Sequence, residues 1–458
     1  MLLAIFFIVF GIACFYGLTR DVGVVSFILV IGFLQDPARK LIDGEPVYMT
    51  ILVGVVVACI IFRRLLINQS IFSEPFVRWS ADISTPLGMY IGIVVVQGMH
   101  SLLRYGSPVI TALGAIFYIA PLLAIVVGYT QFQNIAVIRM FLITFCLFAI
   151  LTALSIVASF NGVESSLFGE VGEGLTIHGY GTILKAYSGL MRSSEIASWH
   201  MGTGVCFLLI LVSRSKSLGI TLLISTMVVL LIASIILTGR RKMILQIVIF
   251  SSLYFPILRY YQGQISNNIL LIITVTSIMF WVFISLFIPS LEESRYNLYF
   301  SRGSTVFGDA GNRFTELGLG SIGWAYSTFG IFGGGLGVAT QGAQHFMTGS
   351  LQTTGAGEGG LGKLVSELGI FGLLLIPWLL FVIAKHIHRC MKLLSKIAPE
   401  ILYLSVGILV FIVANIPTFI VASQVYGDVF VLLILGLLSG ALFAVPKQVI
   451  MYISSGYK

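Results

Sequence analysis

Apolar runs follow one another along almost the whole chain, interrupted by short polar turns and two long polar segments. The runs fall at 2–18, 22–34, 47–62, 84–103, 109–128, 137–160, 199–212, 218–237, 242–257, 268–289, 361–384, 400–422 and 427–445. An α-helix needs roughly 20 apolar residues to cross the hydrocarbon core of a bilayer, and most of these runs approach that length. A β-barrel would instead show short segments alternating residue by residue. Residues 1–458 are therefore predicted to form a single integral membrane domain, all-α and polytopic, with about 12–14 transmembrane helices. The two polar interruptions are 161–198 and 290–360, and the second precedes the last three spans. A loop as long as the second usually exists for a function. It is rich in glycine and aromatics and carries Arg295, Arg302, Arg313, His345 and Glu358.

Basic residues set the expected orientation, because cytoplasmic loops of membrane proteins are enriched in Lys and Arg. The stretch KHIHRCMKLLSK (385–396) reads as a cytoplasmic loop, and SRSKS (213–217), Arg63, Arg64, Arg78 and Lys447 agree with it in parity. Both long loops then lie outside the cytoplasm. At the N-terminus the pair at 20–21 and the stretch DPARK (36–40) pull in opposite directions. One turn breaks the rule: Thr238-Gly-Arg240-Arg241-Lys242 places three cations on the extracytoplasmic side. They either snorkel to the interface and end a helix or form an anion site facing the polar loops.

Composition sharpens this picture. The chain is 58% hydrophobic and only 10% charged, which no soluble domain matches. The net charge of +8 is accounted for by basic cytoplasmic loops, so nucleic acid is not an expected partner. Cys14, Cys59, Cys146 and Cys206 fall in apolar runs and Cys390 in a basic stretch, so neither a disulfide nor a cysteine metal site is expected. Leu2 to Leu18 lacks a basic leader and a small-residue cleavage pattern, and is predicted to be a first span.

Several residues could carry chemistry. Arg192, near the end of the 161–198 loop, would suit a phosphate, since a guanidinium donates two parallel hydrogen bonds. Trp199, at the start of the next run, is expected to be an interfacial anchor. Glu358 stands among glycines just before an apolar run and suits either a general base or a cap at the positive end of the following helix. Glu367 lies nine residues further on, inside that run, where an ionisable group is a functional candidate or a hydrogen-bonding partner for another span. His345 suits a hydrogen bond within its loop better than a base. Glu292 and Glu293 read as solvated charges, and Asp309 among glycines as a turn residue. No D-x-D pair occurs in these loops, so neither a catalytic metal nor another cofactor is implied.

Arg313-Phe-Thr-Glu-Leu317 has the pattern R-x-x-x-L, and Gly369 lies eleven residues after Glu358. With Thr238 and Arg241 in the earlier basic turn, the chain resembles the O-antigen ligase and polysaccharide polymerase superfamily of bacterial membranes. That family carries R-x-x-x-L in a long periplasmic loop, then a histidine eleven residues before a glycine at entry to the next helix, and an arginine in a turn after an earlier span. This chain departs from the pattern in having Glu358 at the histidine position. The resemblance covers the architecture and roughly residues 195–375. It implies an enzyme of the bacterial inner membrane that takes a glycan from a polyprenyl diphosphate and passes it to a sugar hydroxyl of a glycan acceptor. A chain-length regulator and a flippase are partners such an enzyme would work with.

The chemistry of that transfer makes the same demands. A membrane enzyme acting outside the cytoplasm has no nucleotide sugars, so its donor must arrive on a lipid. The departing diphosphate needs cations, for which Arg240, Arg241, Arg313 and Arg192 are the candidates. The acceptor hydroxyl needs a base, for which Glu358 is the candidate, with His345 and Glu367 as secondary ones. Polymerisation is the expected activity. The alternatives are ligation of the glycan to a lipid or protein acceptor, and, in a different class, transport of a lipid-linked glycan. A transporter should show repeats or paired broken helices, and the sequence displays neither.

Overall fold

A computed structural model describes residues 2–20, 23–69, 81–169, 171, 176–179, 182–215, 217–240, 242–262, 299, 306–340, 343 and 359–454. Apolar runs become helices in order: α1 (Leu2–Thr19), α2 (Val24–Lys40), α3 (Leu52–Leu66), α4 (Ala81–Tyr105), α5 (Pro108–Gln131) and α6 (Ile135–Phe160). After the first long loop come α7 (Ser194–Val212), α8 (Leu218–Leu237) and α9 (Lys242–Gln262). The second long loop contains α10 (Val306–Arg313), a π-helical segment Phe314–Leu319 and α11 (Gly320–Phe329). The chain closes with α12 (Gly360–Ile397), α13 (Pro399–Val421), α14 (Val429–Phe443) and α15 (Val445–Ser454). A two-strand hairpin, β1 (Thr176–Gly179) and β2 (Thr182–Lys185), pairs antiparallel inside the first loop, with Thr176 opposite Lys185.

The protein is an all-α polytopic membrane protein. Among the described residues, ten helices are long and apolar enough to cross a membrane, and α14 with α15, bent by 52°, can supply an eleventh. The run expected at 268–289 lies outside the described residues. The run expected at 22–34 becomes the 17-residue α2, whose last turns carry Gln35, Asp36, Arg39 and Lys40, all buried. The basic stretch expected as a loop at 385–396 is instead the continuation of α12. No helix breaker occurs there before Pro399, and the charged residues sit on helical turns beyond the apolar run.

The most buried span is α7, with 89% of its apolar window inside the protein. It packs against α6, α8, α9 and α13. The closest helix pair is α5 with α14, where glycines let the backbones meet. A Cβ at Gly128 would overlap the Leu437 carbonyl, and one at Gly440 would overlap that of Ile125.

The spans run between two chemically different ends. At one, Arg214 Nη2 donates to the Pro399 carbonyl at 3.1 Å, Arg139 Nε to the Tyr403 hydroxyl at 3.1 Å and Gln448 Nε2 to the Phe132 carbonyl at 2.7 Å. This basic end also gathers Arg20, Arg63, Arg64, Arg259, Lys385, Arg389, Lys392, Lys396 and Lys447. At the other, Lys40 Nζ donates to the carbonyls of Gly189 and Met191, each at 2.7 Å, and of Leu167 at 3.1 Å. The 161–198 loop, the 238–242 turn, the π-helical segment and the start of α12 all meet at this loop end. The opposite pulls at the N-terminus thus separate: Arg20 lies at the basic end and the close of α2 at the loop end.

Candidate functional site

The loop end is assembled from helix caps. Ser193 caps α7 by accepting the Ile196 amide at 3.4 Å, and Asp428 caps α14 by accepting the Val431 amide at 2.9 Å. The first cap fixes the start of α7, which carries Glu195, and the second fixes Asp428, which pairs with Arg192.

Glu195, in the first turn of α7, is the hub of the basic turn between α8 and α9. Arg240 Nη1 approaches its Oε1 at 3.2 Å and Lys242 Nζ donates to the same oxygen at 3.0 Å. Arg240 Nε also donates to Ser194 Oγ at 3.1 Å. With its amide nitrogen turned toward Glu195, Gln424 donates to both carboxylate oxygens at 3.0 and 3.1 Å. Thr238 Oγ accepts the Arg240 amide at 3.2 Å, and Gly239 holds a positive φ of 70° that lets the chain reverse. Arg240 and Lys242 therefore belong to a specific cluster at the loop end and stay 27% and 19% exposed. Arg241 lies outside the described residues.

Arg192 is expected as a phosphate contact, and the structure gives it two carboxylates instead. Its Nη1 lies 2.7 Å from Asp428 Oδ2 and 3.7 Å from Asp36 Oδ1, and its amide donates to Asp36 Oδ2 at 3.0 Å. Burial works against its charge, but Asp428 and Asp36 outweigh that and raise its pKa above the ordinary arginine value. Arg192 thereby ties the first long loop to α2 and α14.

Trp199 is corrected more plainly. It is wholly buried, and its Nε1 donates to Asn415 Oδ1 at 2.9 Å, because α7 is the central helix of the bundle. His200 beside it packs among Phe33, Phe145 and Phe430.

Arg313 closes α10 and is exposed, followed by the π-helical turn that ends beyond Leu317. Gly318 packs against Ile420 of α13. A Cβ at Gly359 would overlap the Leu317 carbonyl, and one at Gly360 that of Phe419. The R-x-x-x-L turn and the start of α12 are thus in backbone contact. Glu358 and His345 lie outside the described residues.

Glu367 is fully buried and hydrogen-bonded on both oxygens. Tyr118 Oη donates to its Oε2 at 2.7 Å, while Thr340 Oγ1 at 2.7 Å and the Ala339 amide at 3.1 Å donate to Oε1. Lys363 Nζ stands 3.7 Å from Oε1, donates to Thr340 Oγ1 at 2.9 Å and lies 4.1 Å from the centre of the Phe117 ring. Glu367 thus joins α12 to α5 and to the glycine-rich chain after α11. That chain is admitted by Gly333, Gly335 and Gly337, each at positive φ. Lys363, one turn before Glu367, was legible as its partner from the i, i+4 spacing; Tyr118, Asp36 and Asp428 had no local signal.

The chain matches no known family model and no curated protein at a significant level.

Proposed function

We propose that this protein is a metal-independent glycosyltransferase of the bacterial inner membrane that polymerises polysaccharide repeat units on the outer face. The observation that supports it best is the meeting at one end of the Arg240–Lys242 turn, the close of the first long loop and the junction between the R-x-x-x-L turn and α12. Positive-inside logic puts the opposite, basic end in the cytoplasm. The loop end then faces lipid-linked glycans.

In the proposed reaction the acceptor hydroxyl attacks the anomeric carbon while the bond from that carbon to the diphosphate oxygen breaks. The hydroxyl proton passes to Glu358. The two electrons of the broken bond leave with the polyprenyl diphosphate, whose charge is met by Arg241, Arg240 and Arg313. Glu195 fits as the group that orients the basic turn, because it holds the residues on both sides of Arg241. Arg192 enters as a structural tie rather than a diphosphate contact.

A transporter of the same lipid-linked glycan is the second reading, and one observation favours it. Helix α12 is broken at Gly369, which has φ 72° and ψ −174°, and broken spans are common at transporter sites. Against it, the two ionisable groups beside this break, Glu367 and Lys363, are matched to each other and to Tyr118 and Thr340.

The test is deletion in the native host, with the lipid-linked and surface glycans separated by length. A polymerase predicts loss of long chains and accumulation of single repeats on the outer leaflet. Single repeats retained in the inner leaflet would favour transport.

A further inference from the structure

One feature without a role in the proposed reaction lies at the opposite end of the molecule from the charged cluster. A cavity of about 730 Å³ opens at the basic end between the start of α6, Ile401 of α13 and Tyr452 of α15. Its polar lining is Gln133, Asn134, Arg139, Thr144, Gln448 and Tyr452, of which Arg139 is the cation. Arg139 is exposed, and its Nε is fixed by the Tyr403 hydroxyl at 3.1 Å, with the guanidinium 5.9 Å from that ring's centre. Among the described residues its two terminal nitrogens have no hydrogen bond or ion pair, and no carboxylate lines the cavity. The positive end of α6 points into the same space.

The apolar part has a direction. Met140 and Ile143 line the cavity and are 45% and 49% exposed. The exposure continues along α6 through Leu147, Leu151 and Leu154, at 56%, 51% and 50%. These residues recur every three or four positions and form one stripe running from the cavity along most of the span, with Met140, Ile143 and Leu147 in the half next to the cavity. A cationic head with a lipid-facing stripe below it has the form of an amphiphile's complement.

We propose that this cavity binds one anionic glycerophospholipid, with its phosphate on Arg139 and its acyl chains along the α6 stripe. Basic pockets between spans are known to select such headgroups. The lipid would join α6 to α13 and α15 at the basic end. This inference does not depend on the glycosyltransferase reading.

The full-length protein, stripped of lipid in detergent, would be titrated with phosphatidylglycerol or with phosphatidylcholine of the same chains, and bound lipid counted by native mass spectrometry. Wild type should prefer phosphatidylglycerol by roughly tenfold or more, because both lipids carry the phosphate but the quaternary ammonium of phosphatidylcholine cancels the headgroup's net charge and repels Arg139. Arg139→Ala should lose that preference. Arg214→Ala removes a cation over the same Tyr403 ring but outside the cavity, and should keep it. Ala136→Trp places an indole in the cavity wall and should release the lipid with Arg139 in place; it decides the matter if Arg139→Ala is not recovered folded. Equal affinity for the two lipids would overturn the proposal, as would an Arg214→Ala loss as large as that of Arg139→Ala. Displacement of phosphatidylglycerol by millimolar inorganic phosphate would overturn it too, by making the cavity a free-anion site.

Discussion

Ile370 gives its backbone N–H to the carbonyl of Ile331 at 3.0 Å instead of to Ser366, one turn behind it. The Ser366 carbonyl, released by the break at Gly369, accepts the amide of Gly334 at 2.6 Å. A broken span normally leaves unpaired polar groups where no water reaches them. Here the exchange satisfies both sides, so the break in α12 and the glycine-rich chain after α11 define each other.

Gly369→Ala tests this exchange. A Cβ there would stand 2.6 Å from the Ile331 carbonyl oxygen, at a positive φ of 72°. This combination of positive φ with extended ψ is one that essentially only glycine adopts, and it costs an alanine about 1–3 kcal/mol. The variant should unfold at a lower temperature in detergent than wild type, and an unchanged midpoint would mean that the break does not depend on glycine.

The Lys363–Glu367 pair predicts a non-additive cycle. Glu367→Gln leaves Lys363 charged and buried, and losing one member of such a pair costs about 3–5 kcal/mol. The double variant Lys363→Met with Glu367→Gln should recover part of that loss. Additive losses in thermal stability would show that the two residues are not coupled.

Much of this architecture was legible in the chain. The spans are legible because membrane helices must be apolar over their length, and one end because its Lys and Arg stand with few acidic neighbours, although Lys40, Arg192, Arg240, Lys242 and Arg313 lie at the other end. Trp199 was misread because its place in the sequence, next to a polar loop, does not say that α7 is central. The end of α2 was obscure for a similar reason: Lys40 is satisfied by carbonyls at 167, 189 and 191, and Asp36 by Arg192. Gly369 was visible as a motif position, whereas its positive φ and the bond from Ile370 to the Ile331 carbonyl beside it were not.

Orientation is open to labelling. Cysteines placed at Ser304 and Ser350 should react with an impermeant thiol reagent from outside the cell, and so should one at Glu164, exposed in the first long loop. One at Ser395, at the basic end, should react only after permeabilisation. The reverse pattern would put the proposed site in the cytoplasm.

Arg241→Ala should abolish transfer while leaving the protein inserted, since loss of one donor to a developing charge commonly costs ~10²–10³ in rate. Arg241→Lys should rescue poorly because it lacks the bidentate fork. Glu195→Gln, which loosens Arg240 and Lys242 on either side, should reduce the rate less than Arg241→Ala. Glycan chains of normal length from Arg241→Ala would leave that residue a snorkelling helix terminator.

In the proposed reaction Glu358 accepts the acceptor's proton as the diphosphate leaves. The direct measurement is release of polyprenyl diphosphate by purified protein given a lipid-diphosphate oligosaccharide, followed together with glycan length. Wild type should release one polyprenyl diphosphate for each repeat added. Glu358→Gln should bind the donor and release none, Glu358→His should keep partial activity, and His345→Ala should lose little. Full activity in Glu358→Gln, with none in His345→Ala, would contradict the account and return the base to the histidine of the loop.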